Sequence, residues 1–506
     1  MFSSTVATWF KTTHQDRHAV WALGLATLAH IGLAWVLHLS PDEAHYALYA
    51  SKLDWSYFDH PPLVGWAQWL PAQLGGTDML MRVVPIACWL VTALLLMHLA
   101  DTLRPGLVVR GPLGLRLDIW LLILSPLPHL LGLALVPDTL LMPLVCAIML
   151  VCWHLRTPHG SQRFGLWLAL GLCLGLAGLA KYTAVMLALG AAMYLGMAHG
   201  LALLAMRGLW LAVGIATLCV VPVFYWNAQH DWISFSYQLN HAHGANEWQL
   251  RKALVFALLL CLAHGVLLLA SLRWLKQHAQ VWRLCACFAL PTLLLLLWVG
   301  GRGSALPHWA TPAFIALVPM AAISLSSLWQ QRPRWAMALG GLQAALCTAL
   351  VVLMAAGGWH QETGLQAKST PSAPAPSTPP NPFADLYGWD RAARIAQALA
   401  QREGLPRLAV MNWSLASRLA WYAKPLAVTV LDQRVDQFDL WFGTVKPQDS
   451  VLLVDWSHMS FKPPVEAEQF ERCDLLDQMP VQHLGRQIAH FNFLHCHNWR
   501  GPKGLT

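Results

Sequence analysis

Apolar runs long enough to cross a bilayer recur along this chain from Val20 to Ala356, and they limit its fold more than any other feature. A spanning helix needs about 20 mainly apolar residues. Only 11% of the 506 residues are charged, against about 25% in a soluble domain. With a mean hydropathy of +0.47, the chain reads as an α-helical polytopic membrane protein.

Eleven spans are expected, at roughly 20–39, 79–100, 118–136, 138–155, 164–180, 182–200, 209–226, 253–272, 283–300, 308–328 and 335–357. The first follows Lys11, Arg17 and His18 without a small-residue cleavage site, so it reads as an anchor rather than a removable signal. Every second connecting loop is basic: Arg104, Arg110 and Arg116; Arg156 and Arg163; Arg207; Arg273, Lys276 and Arg283; Arg332 and Arg334. These loops share the side of the N-terminus. Positive charge marks the cytoplasmic face, which sets the first loop, 40–78, and everything after residue 357 on the outer face. The net charge of +8 largely reflects this bias, and no concentrated basic face suggests a nucleic-acid partner.

The chain changes character after Trp359. `KSTPSAPAPSTPPNP`, 368–382, reads as an extended linker within 359–382. Beyond it, `WDRAARIAQALAQREG` has helical periodicity and ends at a glycine, while `RLAVMNW`, `LAVTVL` and `SVLLVDW` are apolar runs of strand length. This pattern predicts a small α/β periplasmic domain over 383–506, separate from a membrane domain over 1–358. Nine of the eleven cysteines lie in or beside spans and read as small buried hydrophobes. Cys473 and Cys496 lie in the outer domain, where an oxidising compartment makes a disulfide possible.

The densest chemistry falls in the first outer loop, `SPDEAHYALYASKLDWSYFDHPPLVGW`, Ser40–Trp66. Ser40, Pro41, Asp42 and Glu43 make a natural helix start. That role does not account for Asp54 and Asp59. The mixture of rings and charges in `HYALYASKLDWSYF` suggests a helix lying along the membrane surface. Adjacent carboxylates at such a boundary are candidates for general-base work or for holding a metal. `NHAHG`, 240–244, has two histidines but no clear third ligand and reads as a polar loop.

`DEAHY` followed by `YFDHPPLVGW` resembles the first outer loop of the polyprenyl-phosphate-sugar-dependent glycosyltransferases, which include protein O-mannosyltransferases and the lipid A aminoarabinose transferase. `LVPDTLLMP`, `LAKYTAVM`, `NAQHDWISF`, `PHWATPAF` and `DLYGWD` are similar in the same order, so the resemblance spans nearly the whole chain. It implies the C-type glycosyltransferase fold and transfer of a sugar from a polyprenyl phosphate to a cell-envelope acceptor: lipid A, a glycan or a protein. Asp42, paired with Glu43, matches the acid that activates the acceptor or holds a metal near it. Asp138 matches a second acid, with a helix start as its alternative role. A divalent metal held by Asp42 and Asp138 is compatible with this, and no other cofactor is implied. Tyr46, Tyr57, Asp59 and His60 belong to the same motifs and are candidate substrate contacts, with His308 beside them in the last outer loop.

The leaving group is a lipid phosphate, which calls for cations at the outer boundary. Lys181 and Arg302 are there; Arg302 lies in `GGRGSALPHW`, read as a flexible glycine-rich cradle. Losing either is expected to weaken donor use without unfolding the protein. The aminoarabinose branch commonly has arginine where this chain has His45, and lysine where it has His60, which weakens transfer of that branch's own substrate. A transporter is the competing reading. It calls for matching halves and midplane charges, whereas here no repeat is visible and the prominent acids lie at span ends.

Overall fold

The computed structural model describes residues 16–105, 109–243, 247–273, 276–359, 381–432, 434–459 and 469–501. Most of the expected linker, Lys11 and Gly244 lie outside these residues. The chain is a multi-pass membrane protein. Among the described residues, eight helices are long and apolar enough to span: Arg17–Val36, Asp78–Leu103, Pro137–Leu155, Tyr182–Ala205, Arg207–Gln229, Lys276–Arg302, Pro307–Gln331 and Pro333–Ala356.

The other three expected runs are helical but are not single full-length spans. Phe164–Ala180 has 17 residues, about 26 Å of helix. The 118–136 run divides into Leu117–Ile123 and Pro126–Leu133, because Pro126 has no N–H to continue the first helix. At that break the Ser125 hydroxyl lies 2.7 Å from the His264 carbonyl. The 253–272 run divides at Gly265, whose φ of +115° ends Leu250–His264. The freed N–H of Val266 donates to Gln343 Oε1 at 2.9 Å.

Two compact units share the chain. One comprises Met1–Leu33 with Leu53–Thr348, the other Ala34–Lys52 with Ala349–Thr506. In the first, small residues let helices approach closely. Gly171, Gly175 and Gly178 line one face of Phe164–Ala180, where an added Cβ would lie 2.5–2.7 Å from Ala212, Cys219 and Val220 of the neighbouring helix. Membrane helices gain little from hydrophobic burial against each other, so close packing of this kind holds them together.

The second unit is built on a five-stranded sheet in the order β2-β1-β3-β5-β4. Its strands are β1 (Arg407–Val410), β2 (Ala427–Val430), β3 (Val451–Trp456), β4 (Phe470–His483) and β5 (Arg486–Trp499). β1 is parallel to β2 and β3, while β4 and β5 form an antiparallel hairpin against β3. The three apolar runs are the three parallel strands. The hairpin strands alternate with many polar residues, and their sequence drew no strand expectation. The amphipathic helix Trp389–Arg402 ends before Gly404, which has φ +68°, and packs Trp389 edge-on to Phe491 at 4.8 Å.

Cys473 and Cys496 are direct register partners on β4 and β5 and are joined by a disulfide. Cys496 lies in the core with Leu453, Phe470 and Trp499. The bond closes a sequence separation of 23 residues. Loop-closure entropy alone gives it about 3 kcal/mol. Cys473→Ser/Cys496→Ser is therefore expected to lower the urea midpoint of this unit and hasten its proteolysis. A midpoint equal to that of the intact protein would show that the hairpin needs no covalent tie.

Candidate active site

In the first unit two of the sequence-predicted residues form a buried ion pair. Pro137 starts the helix Pro137–Leu155, which places Asp138 in its first turn, where the helix dipole favours a carboxylate. The Thr139 hydroxyl accepts the Val136 N–H at 3.2 Å and fixes that start. Forty-three residues later, Phe164–Ala180 ends and Lys181 adopts an extended backbone. Lys181 Nζ donates to Asp138 Oδ1 at 2.9 Å and Oδ2 at 2.7 Å. The two side chains are 6% and 1% exposed. The ammonium also lies 4.9 Å from the centre of the Trp309 ring, and His308 Nε2 lies 3.8 Å from Asp138 Oδ2. The sequence treated Asp138 as a second acid and Lys181 as a cation serving only a phosphate. The fold joins them.

This pairing bears on the metal expectation. Both Asp138 oxygens accept hydrogen bonds from an ammonium, a poor start for a cation site. Among the described residues, no group of three or more His, Cys, Asp or Glu side chains is arranged to hold a metal. Asp138 and its surroundings do not fit one.

Lys181 also lines a cavity of about 730 Å³ between helices of the same unit. Apart from Lys181, Tyr182 and Thr217 its walls are apolar, formed by residues such as Leu170, Leu189, Val213 and Phe224. The Tyr182 ring stands edge-on to Phe235, another wall residue, at 5.3 Å.

The loop 53–60 is pinned to the end of Arg207–Gln229 and to Ile233–His243. Trp226 Nε1 donates to Asp54 Oδ2 at 2.9 Å, the Ser234 hydroxyl to the Tyr57 carbonyl at 2.8 Å, and Gln238 Nε2 to the Asp59 carbonyl at 2.6 Å. The Tyr57 phenol is buried and accepts the Asp54 N–H at 3.0 Å. Burial pushes its pKa above the usual phenol range, so it stays protonated. Tyr57 thus supports the loop from within, while Asp59 and His60 are half-buried in it.

Arg302 does not lie in a flexible loop. It is the last residue of the helix Ala279–Arg302, and its guanidinium lies 4.7 Å from the centre of the Trp298 ring. The glycines before it serve packing. An added Cβ on Gly300 would meet Phe256 at 2.5 Å, and one on Gly301 would meet Trp248 at 2.0 Å. Only Gly303, with φ +87°, acts as a terminator.

In the second unit, the opening acids start the helix Pro41–Ser51, and the cap is specific. The Ser40 N–H donates to Glu43 Oε2 at 2.9 Å, and the Glu43 N–H donates to Ser40 Oγ at 3.5 Å. Glu43 therefore has a structural partner, whereas Asp42, the second helical residue, is outside the capping box. The expected helix along the membrane surface is not what forms, since every residue from Glu43 to Ala50 is buried. Ala44, Ala47 and Ala50 give it a small-residue face, and it packs on the helix Trp413–Tyr422 of the same unit. Tyr46 is buried against Tyr49, with ring centres 5.6 Å apart. His45 Nδ1 lies 3.2 Å from the Ser417 hydroxyl and is surrounded by Trp413, Phe438 and Trp441.

Trp309 and Arg418 escaped the sequence reading. Trp309 follows His308 in `PHWATPAF`, where an aromatic beside a charged candidate was the available signal. Arg418 was visible as a charge within the buried run `SLASRLAW`.

Residues 59–226 match the family model of the dolichyl-phosphate-mannose-protein mannosyltransferases. A lipid A galacturonosyltransferase, RgtD, of Rhizobium johnstonii is 25% identical over 323 residues, covering 60% of this chain and 64% of that protein. The crystal structure of ArnT from Cupriavidus metallidurans bound to undecaprenyl phosphate superposes with a TM-score of 0.59 at 15% identity, covering 94% of this chain and 98% of that one. The apo form gives 0.56 at the same identity, covering 94% of this chain and 97% of that one.

Proposed function

We propose, from a likeness to the polyprenyl-phosphate-sugar-dependent membrane glycosyltransferases that family match and fold bear out, that this chain is an inverting glycosyltransferase. It moves a hexosyl or pentosyl unit from a polyprenyl phosphate to an envelope acceptor. The work takes place on the outer face of the bacterial inner membrane, with the N-terminus cytoplasmic and the C-terminal domain periplasmic. Lipid A as acceptor is supported by the activity of the Rhizobium relative, with another glycan or a protein as alternatives.

The observation that carries this reading is Lys181, paired with Asp138, on the wall of a large apolar cavity. A donor with a long hydrocarbon tail and an anionic phosphate needs both environments next to each other. The reaction is a single displacement. The acceptor oxygen or nitrogen forms a bond to the anomeric carbon as the carbon–oxygen bond to the lipid phosphate breaks, and the acceptor's proton passes to the Asp42 carboxylate. Negative charge then grows on the phosphate, where Lys181 and Arg302 oppose it. Because Asp138 grips Nζ with both oxygens, Lys181 is a preorganised charge rather than a mobile snorkelling chain.

Purified protein given a polyprenyl-phosphate sugar and lipid A is expected to yield a product heavier by one sugar residue in mass spectrometry. If no envelope glycolipid, glycan or protein gains a sugar, and cells lacking the chain keep an unchanged envelope, the reading falls. Arg302→Ala is expected to raise the KM for the donor about tenfold or more, and Arg302→Lys to recover only part of this, because lysine lacks the planar fork that binds two phosphate oxygens. An unchanged donor KM in Arg302→Ala would remove Arg302 from the site.

A further inference from the structure

The cavity that Lys181 lines changes character at the next residue. Tyr182 opens the span Tyr182–Ala205 and adds a phenol to a wall that is otherwise mostly apolar. Its hydroxyl is buried, and the side chains of Ser56, Ser234 and Asn227 stand beside it. Those three residues are 0% exposed. The bonds around them fix the arrangement. The Tyr182 ring lies 5.3 Å from that of Phe235, which follows Ser234 in the chain. The Ser234 N–H donates to Asn227 Oδ1 at 3.2 Å, and the Ser234 hydroxyl donates to the carbonyl of Tyr57, the residue after Ser56, at 2.8 Å. Three elements therefore converge on the phenol: the loop 53–60, the end of Arg207–Gln229 and the start of Ile233–His243.

These groups are polar, uncharged and incompletely used. Ser234 gives its one hydroxyl hydrogen to Tyr57, and Asn227 gives an amide hydrogen to the Val223 carbonyl at 3.0 Å. The hydroxyls of Tyr182 and Ser56, by contrast, make no hydrogen bond of regular geometry with any described residue. Buried hydroxyls are costly when unsatisfied, so two of them in one cluster point to a ligand that bonds to both. The chemistry selects its kind. A phosphate only accepts hydrogen bonds, and Lys181 already supplies a charge for it. A sugar hydroxyl gives and takes, as serine, tyrosine and asparagine side chains do. Aromatic walls with a few fixed polar groups are also what orients a small ligand. In a polyprenyl-phosphate sugar the ring is bonded directly to the phosphate, so its site must adjoin the phosphate's, as Tyr182 adjoins Lys181.

We infer that Tyr182 and Ser56, set among Ser234 and Asn227, hold the sugar ring of the donor by its hydroxyl groups. This rests on the reading of the chain as a polyprenyl-phosphate-sugar transferase. It assigns the cluster to the part of the donor that differs from one sugar to another, and not to the lipid phosphate common to all of them. Removing either hydroxyl must then weaken the sugar-bearing lipid and spare the bare one.

The test uses full-length protein in detergent and calorimetric titration with undecaprenyl phosphate, either bare or bearing glucose, galacturonic acid or aminoarabinose. At least one sugar-bearing lipid is expected to bind more tightly than the bare one. Tyr182→Phe and Ser56→Ala are each expected to weaken that lipid about fivefold, the loss of one hydrogen bond, while the bare lipid binds as before. Each substitution deletes one oxygen and leaves the packing in place, so the thermal midpoint should hold. Where Tyr182→Phe does not fold, Ser56→Ala carries the test by itself. Equal weakening of the bare lipid would make the contact one to phosphate and overturn the inference, with the transferase reading intact. Unchanged binding of both lipids would mean that the hydroxyls meet only water, and it falls likewise. It also falls if no sugar-bearing lipid binds more tightly than the bare one to the unaltered protein. If that protein binds none of these lipids, the transferase reading itself falls and takes the inference with it.

Discussion

Purified Asp42→Asn protein is expected to fold and bind the donor lipid, yet to transfer sugar about 10²–10⁴ times more slowly. The structure makes this substitution a cleaner test than the sequence promised. From sequence alone, Asp42 and Glu43 shared the first turn of a helix begun by Ser40, and either could have served that helix start alone. In the fold, Ser40 and Glu43 form the capping box and Asp42 takes no part in it. Asparagine at 42 keeps the shape and the helix start, and removes only the charge that accepts a proton. Near-normal transfer by this variant would return the first outer loop to a purely architectural role.

Lys181→Ala is expected to cost both activity and stability. Removing the ammonium strands a carboxylate that is 1% exposed, and breaking a buried pair from one side costs about 3–5 kcal/mol. The sequence, seeing only an isolated cation at an outer boundary, implied no folding penalty. The remedy separates the two effects. Lys181→Met/Asp138→Leu replaces the pair with apolar groups of similar size, so thermal stability should recover most of what Lys181→Ala loses. Transfer should not recover, because the preorganised Lys181 charge is gone and Arg302 alone is left to oppose charge on the departing phosphate. A double variant that regains activity along with stability would show that the pair serves folding alone.

The residues legible in the sequence were those whose roles are local. Pro41, Pro137 and Ser40 mark helix starts through backbone chemistry that acts within one turn, and each start was read where it forms. The glycines around Arg302 were misread for the complementary reason. Glycine marks either a bend or a close approach, and only the neighbouring rings of Phe256 and Trp248 decide that Gly300 and Gly301 serve the second. The two spans broken at Pro126 and Gly265 looked continuous because hydropathy averages over a break that costs one or two hydrogen bonds.

The sequence by itself determined that this is a multi-pass membrane protein with a small sheet domain at its C-terminal end. Transfer free energy sums residue by residue along a segment, and the period of apolar residues needs no partner to be read. Tertiary structure alone decided which charges meet. Lys181 finds Asp138 across 43 residues, and Arg418 finds Asp385 across 33. A buried charge must be matched by another, but which one is chosen follows from how distant helices pack. The helix Pro41–Ser51 looked like a surface helix, but it packs on the helix Trp413–Tyr422 and is buried from Glu43 to Ala50.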